Sequence, residues 1–327
     1  MKHNMELLRD AAENLGPLCV GLDTDPSYLP SPLLSVLGSR TKAVLAYNKE
    51  IIRRVSLDKS ACCFKIQIAY YESMGLDGLK AYVETLNAIK ESGLIAISDI
   101  KRGDIADTAK AYARAHFSGD FEADIVTVNP YMGFDTIAPF TEYCKPSGAG
   151  TDEHFIEHCE KGLFVLLKTS NKGASDIEEL ELKNGGKVLD KTGEELKRLC
   201  AYFKEFYPEQ KCSPVGAVVG CTDESDAAFL REAYPELFFL IPGYGAQGGG
   251  AHTAAVLLEK AGGVVNSSRG ILCAWKNAPE LADKVESENL CLKEIADAAG
   301  NAALAAKADL LAAKQALHPE SQPQTEE

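Results

Sequence analysis

The sequence has no surplus of positive charge. Across 327 residues, 34 lysines and arginines stand against 48 aspartates and glutamates, a formal net charge of −14. A nucleic-acid partner held by bulk electrostatics is excluded, because phosphate neutralisation needs a basic surface. A single phosphate site, which needs only one local cluster of donors, is not excluded. Long apolar runs are also missing. No stretch approaches the roughly 18 uninterrupted apolar residues of a spanning helix, so no membrane partner is expected. The opening MKHNMELLRDAAENLG holds no apolar segment of signal-peptide length. The ten cysteines form no CxxC pair and no regular framework. Several lie inside apolar runs (Cys19, Cys62, Cys63, Cys221), so they read as reduced, buried thiols of a cytoplasmic protein. No internal repeat and no domain-separating linker is visible. One domain over residues 1–318 is expected, with 319–327 as a disordered tail.

What the chain does contain is a packed core's worth of hydrophobic residues, 46% against 25% charged, arranged in eight short runs: Pro17–Asp23, Cys62–Ala69, Leu94–Lys101, Ala123–Asn129, Gly162–Thr169, Val215–Thr222, Leu237–Pro242 and Gly263–Ser268. Each is rich in Val, Ile, Leu or Phe and too short for a buried helix. Near-continuous apolar strands indicate a parallel sheet covered on both faces. Amphipathic stretches alternate with them, among them Thr41–Leu57, Gly75–Ser92, Ala106–Phe117, Thr192–Phe206, Ser225–Tyr234 and Ala251–Ala261. Repeated strand–helix alternation predicts an α/β protein of the (β/α)8 TIM-barrel type. An open doubly wound sheet shares the alternation and is the alternative. Two parts exceed a minimal barrel: an enlarged β5–β6 region, an excursion over about 171–213, and a long Ala-rich C-terminal helix from about Cys291 to Leu317.

Lys and Asp are costly in a buried strand, yet they gather at the C-terminal ends of the first three runs: Asp23 in GLDTD, Lys65 in FKIQ, Asp99 and Lys101 in SDIKRGDIADT. In a barrel those ends form the active-site face. Asp99 and Lys101 are two apart, so a regular strand points both to one side. Asp104 follows, completing D-x-K-x-x-D, and opposite charges this close hold each other ionised. The plainer reading is a structural ion-pair network at the barrel mouth; several charges converging on one face favour a site.

The last two strands supply a second signal. One runs into PGYGAQGGG (Pro242–Gly250), the other into NSSRGI (Asn266–Ile271). Glycines let backbone N–H groups approach an anion, and Arg269 adds a donor fork suited to phosphate. Loops after strands seven and eight are the usual barrel phosphate site. Gly-rich turns beside an exposed arginine are the alternative. Three other motifs carry less. Gly243-x-Gly245-x-x-Gly248 matches a dinucleotide fingerprint, but the next strand ends in Ser-Ser-Arg instead of an acid. His154-Phe-Ile-Glu-His158 has a zinc-protease order, yet the chain has only six histidines and no obvious third ligand. Lys168 in LLKTS could be a Schiff-base lysine.

SDIKRGDIADT resembles the D-x-K-x-x-D-I-x-x-T signature of the orotidine 5′-phosphate decarboxylase family. The segments GLD, FKIQ, NPYMGFD, LLKTSN, PGYGAQGG and NSSRGI agree with it in order, from about residue 17 to 275. The chain resembles the longer, type 2 branch, with K-x-Q at strand two and an enlarged region after strand five. The resemblance implies decarboxylation of orotidine 5′-monophosphate (OMP) to uridine 5′-monophosphate and CO2 in de novo pyrimidine synthesis, without cofactor or metal. It implies that Asp23 and Lys65 hold ribose hydroxyls, that Lys65 also joins a catalytic charge array Lys65–Asp99–Lys101–Asp104, and that Asp99 lies against the substrate carboxylate. Lys101 would donate the proton to C6. Asp104 and Thr108 resemble residues that cross a homodimer interface into the neighbour's site, so shared active sites are expected. Ser170 would read the pyrimidine edge, and Gln247 would bridge base and phosphate. Arg269 and backbone groups near Gly245 and Ser268 would take the phosphate. No fused phosphoribosyltransferase domain is expected, since strand one starts near residue 17. Two alternatives stay open. Sister barrels that resemble 3-keto-gulonate-6-phosphate decarboxylase and hexulose-phosphate synthase use Mg2+ and an enediolate. A non-catalytic pyrimidine-nucleotide sensor would share the barrel but would not need Lys101.

Overall fold

The computed structural model describes residues 1–148, 159–220, 223–245, 250–287 and 289–318. Each of the eight apolar runs is a strand: β1 Leu18–Gly21, β2 Cys63–Gln67, β3 Ile95–Arg102, β4 Ile125–Val128, β5 Gly162–Lys168, β6 Val215–Val219, β7 Phe239–Ile241 and β8 Gly263–Ser267. They pair in chain order and close on themselves, β8 lying parallel to β1. The open-sheet alternative is therefore excluded. Closure leaves no sheet edge, and it turns the period-2 alternation of each strand into an inside and an outside.

The outward residues, among them Val20, Ile66, Val126, Val165, Ala217 and Val265, join the large core beneath the helices. The inward ones, Cys19, Cys63, Ile97, Ile125, Phe164, Val218, Leu240 and Val264, form a separate cluster inside the barrel. Phe164 is fully buried there and stacks on Phe238 at 6.4 Å between centroids. Truncating such a ring to alanine costs about 3–5 kcal/mol, since the rigid wall cannot collapse into the space.

The amphipathic stretches are helices: Arg40–Asp58, Gly75–Glu91, Ala106–Phe117, Val188–Phe206, Glu224–Ala233 and Ala251–Leu257. The helix before β6 starts four residues earlier than its apolar periodicity indicates. Asp190 accepts the Lys187 N–H at 2.7 Å and so caps the extra turn. The enlarged β5–β6 region thus splits into an irregular stretch over 171–187 and a regular barrel helix. The C-terminal helix, Leu292–Ala316, lies on Arg40–Asp58. Ala296, Ala299 and Ala303 of this helix are buried, and at Gly300 a Cβ would meet Arg54 Cγ at 2.6 Å, so small residues let the two helices approach closely. Among the described residues no helix is long and apolar enough to cross a membrane.

One element has no counterpart among the sequence expectations. The N-terminal helix Asn4–Leu15 closes the bottom of the barrel, with Met5 and Leu8 fully buried against the inner cluster. Its start is tied to the chain before β6. His3 Nδ1 accepts the Glu6 N–H at 3.0 Å, and His3 Nε2 lies 3.1 Å from the Cys212 carbonyl. The Glu6 carboxylate accepts the N–H groups of Lys211 and Cys212. A floor built this way leaves only the C-terminal end of the barrel open.

Candidate active site

At that open end, the inward-facing register continues from the apolar layer into charge. Lys65 follows Cys63 on β2, Asp99 follows Ile97 on β3, and Asn266 follows Val264 on β8. Lys65 is 4% exposed and Asp99 5%. The Lys65 ammonium donates to Asp23 Oδ1 at 2.8 Å and to Asp99 Oδ2 at 3.1 Å. Lys101 Nζ donates to Asp99 Oδ1 at 2.6 Å. The Thr127 hydroxyl on β4 donates to the same oxygen at 2.8 Å. On the other side, Ser268 donates to Asp23 Oδ2 at 2.8 Å and accepts from Asn266 Nδ2 at 3.1 Å. One continuous polar network therefore runs Asn266–Ser268–Asp23–Lys65–Asp99–Lys101 over four adjacent strand ends, those of β8, β1, β2 and β3. Gly21 leaves room for it: a Cβ there would lie 2.0 Å from Ser268 Oγ and 2.8 Å from Asn266 Oδ1.

Burial alone would push Asp99 toward its neutral form. The Lys65 and Lys101 ammonium groups, with hydrogen bonds from Lys101 and Thr127, win and hold it well below the usual carboxylate range. Burial likewise opposes the charge on Lys65, and the Asp23 and Asp99 carboxylates reverse this and raise it. Asp99 and Lys65 therefore stay ionised across any ordinary working pH.

These groups line one side of a cavity of about 520 Å³. Leu166, Val218 and Leu240 form its apolar floor, and Ser170 and Asn171 enter from the end of β5. Pro242, Gly243 and Tyr244 follow β7, and Ser268 and Arg269 follow β8. Arg269 is exposed, and its side chain makes no hydrogen bond or ion pair among the described residues. The cluster of fixed charges and the Arg269 guanidinium thus line one cavity with an apolar floor. That arrangement suits an anionic ligand with a flat middle and a phosphate at its far end.

The structure brings together Asp23, Lys65, Asp99, Lys101, Ser170, Ser268 and Arg269 around this cavity. It does not bring Asp104 or Thr108 there. The Asp104 carboxylate accepts the Ile105 N–H at 2.8 Å, and Thr108 is exposed on the helix Ala106–Phe117. Within one chain, the charged neighbours of Asp99 and Lys65 are Lys101 and Asp23 instead. In the loop after β7, Gly243 and Tyr244 line the cavity in place of Gly245, which is exposed with φ 75°. Gln247 lies outside the described residues, as do His154 and His158. Lys168 is turned away from the cavity and paired with Glu179, which removes the Schiff-base reading. The β5–β6 register shifts between Leu166 and Lys168, so parity counted along the sequence fails there.

Sequence reasoning missed Thr127, Asn266, Tyr28, Tyr70 and Asn171. Thr127 sits within an apolar run, and Asn266 opens the NSSRGI segment without a part of its own; a hydroxyl or amide on the inward parity of a barrel strand is the signal that finds them. Tyr28 and Tyr70 carry no local signal. The irregular stretch after β5 is also tied to the site. Glu178 accepts the Thr169 N–H at 2.9 Å and the Thr169 hydroxyl at 2.6 Å, next to Ser170. Gly220 completes this corner, since a Cβ there would meet Ser170 Cβ at 2.7 Å.

A profile of the family described as "Orotidine 5'-phosphate decarboxylase / HUMPS family" matches residues 16–284. The orotidine 5′-phosphate decarboxylase of Clostridium perfringens strain 13 is 50% identical over 270 residues, covering 82% of this chain and 88% of its own. That of Clostridium tetani is 50% identical over 273 residues, covering 83% and 89%. Among solved structures, Leishmania donovani OMP decarboxylase superposes with a TM-score of 0.61 at 28% identity, covering 91% of this chain and 98% of its own.

Proposed function

The chain belongs to the orotidine 5′-phosphate decarboxylase / HUMPS family, and we propose that it decarboxylates orotidine 5′-monophosphate to uridine 5′-monophosphate and CO2. The observation that carries this reading is the Lys101–Asp99–Lys65–Asp23 array lining a cavity that Arg269 also lines. The relatives' names add the substrate.

The chemistry asks for such an array. When the C6–carboxylate bond of the pyrimidine breaks, its electron pair stays on C6 as CO2 leaves, and no ring position delocalises that pair well. A fixed positive charge must already stand beside C6. Lys101, oriented by Asp99 at 2.6 Å, supplies it. Preorganised charge in a site shielded from water is usually the largest single contribution to catalysis. The same ammonium then delivers a proton to C6, forming the C–H bond, and recovers its proton from solvent. Asp23 and Lys65 hold ribose hydroxyls, Ser170 reads the pyrimidine edge, and Arg269 with Gln247 and nearby backbone N–H groups takes the phosphate. Binding energy from the phosphate, remote from the reacting bond, serves to orient the base.

Asp104 and Thr108 serve the site of a second copy in a homodimer. Their position off the cavity of their own chain fits this assignment. The sister reading, a Mg2+-dependent sugar-phosphate barrel, is disfavoured by Lys65. Its ammonium occupies the space between Asp23 and Asp99, where a metal site would need a carboxylate. Incubating the pure protein with OMP and a chelator tests the assignment. Loss of orotate absorbance with CO2 release supports it, and turnover that appears only with Mg2+ contradicts it.

A further inference from the structure

The pairing of β3 with β4 is broken at the site. It runs Ile97↔Ile125 and Ser98↔Val126, then resumes only at Arg102↔Val128. Three residues of β3, Asp99 to Lys101, therefore stand opposite the single residue Thr127, which makes a bulge. Bulges bend a strand and re-aim its side chains, and they leave ladder groups unpaired. Here the bend is carried by Lys101 itself, with φ 45°, a left-handed backbone that side-chain-bearing residues rarely adopt. Such a conformation persists only where the surroundings hold it.

Thr127 does the holding. Its Oγ1 accepts the Lys101 N–H at 3.0 Å, replacing the carbonyl that a regular ladder would offer. Its own hydroxyl proton goes to Asp99 Oδ1 at 2.8 Å, the oxygen that also receives Lys101 Nζ. One hydroxyl thus fixes the backbone of the lysine and the carboxylate that aims its ammonium. Thr127 is 1% exposed and does not line the cavity, so it has no access to a ligand.

We propose that Thr127 is a positioning residue for the reaction: its hydroxyl holds the β3 bulge in the one backbone shape that sets the Lys101 ammonium against Asp99 and over the cavity. This deepens the decarboxylase assignment and rests on it. Valine has nearly the shape of threonine without the hydroxyl. Serine keeps the hydroxyl and loses only a methyl group. The two substitutions therefore separate the hydrogen bonds from the packing.

The test compares wild type, Thr127→Val, Thr127→Ala and Thr127→Ser for OMP turnover, with uridine 5′-monophosphate affinity and thermal unfolding measured on each. Loss of two hydrogen bonds, one of them to a charged group, should lower kcat by about 10–100-fold in Val and Ala. KM and nucleotide affinity should stay within about threefold, because ligand contacts are untouched. Ser should retain kcat within about threefold by the same reasoning. Val and Ala differ in volume, so either one that folds decides the matter. Wild-type kcat in a folded Val or Ala variant overturns the proposal. So does a Ser variant as impaired as Val, or a loss confined to KM. If the wild-type protein itself leaves OMP unchanged, the decarboxylase assignment fails and this inference falls with it.

Discussion

The Lys65 ammonium lies 3.1 Å from Asp99 Oδ2 at the junction between the barrel's apolar interior and its open mouth. Both groups are almost wholly buried; Lys65 is held charged there by Asp23 and Asp99 together, and Asp99 by Lys65 and Lys101 together. Removing Lys65 leaves, among the described residues, Asp23 with only the Ser268 hydroxyl and Asp99 with Lys101 as its one ammonium partner; breaking a buried pair in this way typically costs about 3–5 kcal/mol. Lys65→Ala should therefore destabilise the fold by that order as well as abolish turnover. Chemical denaturation checks the first effect; an unchanged midpoint would mean that Asp99 had found another partner or a proton.

Arg269→Ala should act on binding. Arg269 lines the cavity and has no contact with Asp99 or Lys101 among the described hydrogen bonds and ion pairs, and loss of a charge-assisted contact is worth roughly 2–3 kcal/mol. KM should rise by about 30–150-fold, with a smaller fall in kcat if phosphate binding also helps to orient the base. Steady-state kinetics decide it, and unchanged values of both constants remove Arg269 from the site.

Glu178 gives the irregular stretch after β5 a role. It caps Thr169 beside Ser170. Glu178→Ala should loosen the corner that holds Ser170, proposed above to read the pyrimidine, and raise KM by about 5–30-fold, from the loss of hydrogen bonds worth about 1–2 kcal/mol. Thermal unfolding should change little, because the stretch lies on the surface. A variant with wild-type KM would leave the stretch without a part in binding.

Acid should weaken the fold before it affects the charge array. Burial lowers His3 and His116 to about 4, so both are neutral in the folded protein near neutrality. In the unfolded chain each binds a proton below about 6.5. Stability is thus full above that pH and falls as pH drops toward 4, by about 2 kcal/mol per histidine at pH 5. Asp99 is depressed, so its contribution is lost only below the ordinary carboxylate range. Lys65 is raised, so its contribution persists to strongly alkaline pH. Urea midpoints between pH 7 and 5 should fall, and should fall less in His3→Gln with His116→Gln. A flat profile in the wild type contradicts the assignment of buried neutral imidazoles.

The proposed homodimer gives Asp104 and Thr108 a part in the site of a second copy. Lys101→Ala and Asp104→Ala chains should each be inactive alone. Mixed one to one with subunit exchange, they should recover about a quarter of wild-type activity, since half the dimers are mixed and one of two sites in each is whole. No recovery, despite exchange shown by mass, argues against a shared site.

The barrel was legible because each strand is a short apolar run and each strand end carries its own chemistry. Asp23, Lys65, Asp99, Lys101 and Arg269 stood out because charge at the end of an apolar strand is expensive without a purpose. Three kinds of information were not legible. Bulges shift parity, which hid the aim of Lys168 and the role of Thr127. Long-range ties, such as Glu178 to Thr169 or Glu6 to Cys212, depend on loop paths that local sequence does not specify. The N-terminal helix has the composition of any surface helix, and its role as the barrel floor comes from Met5 and Leu8 meeting residues more than a hundred positions away, such as Ile125 and Phe164.

The central claim is that Lys101, held by Asp99, supplies the charge and the proton at C6. It is tested most directly by single-turnover decarboxylation of OMP in the presence of a chelator, wild type against Lys101→Ala, with uridine 5′-monophosphate affinity measured on both. The account predicts CO2 release by the wild type, a loss of at least about 10³-fold in the variant, and nucleotide affinity within a few fold. Wild-type rates from Lys101→Ala would contradict it.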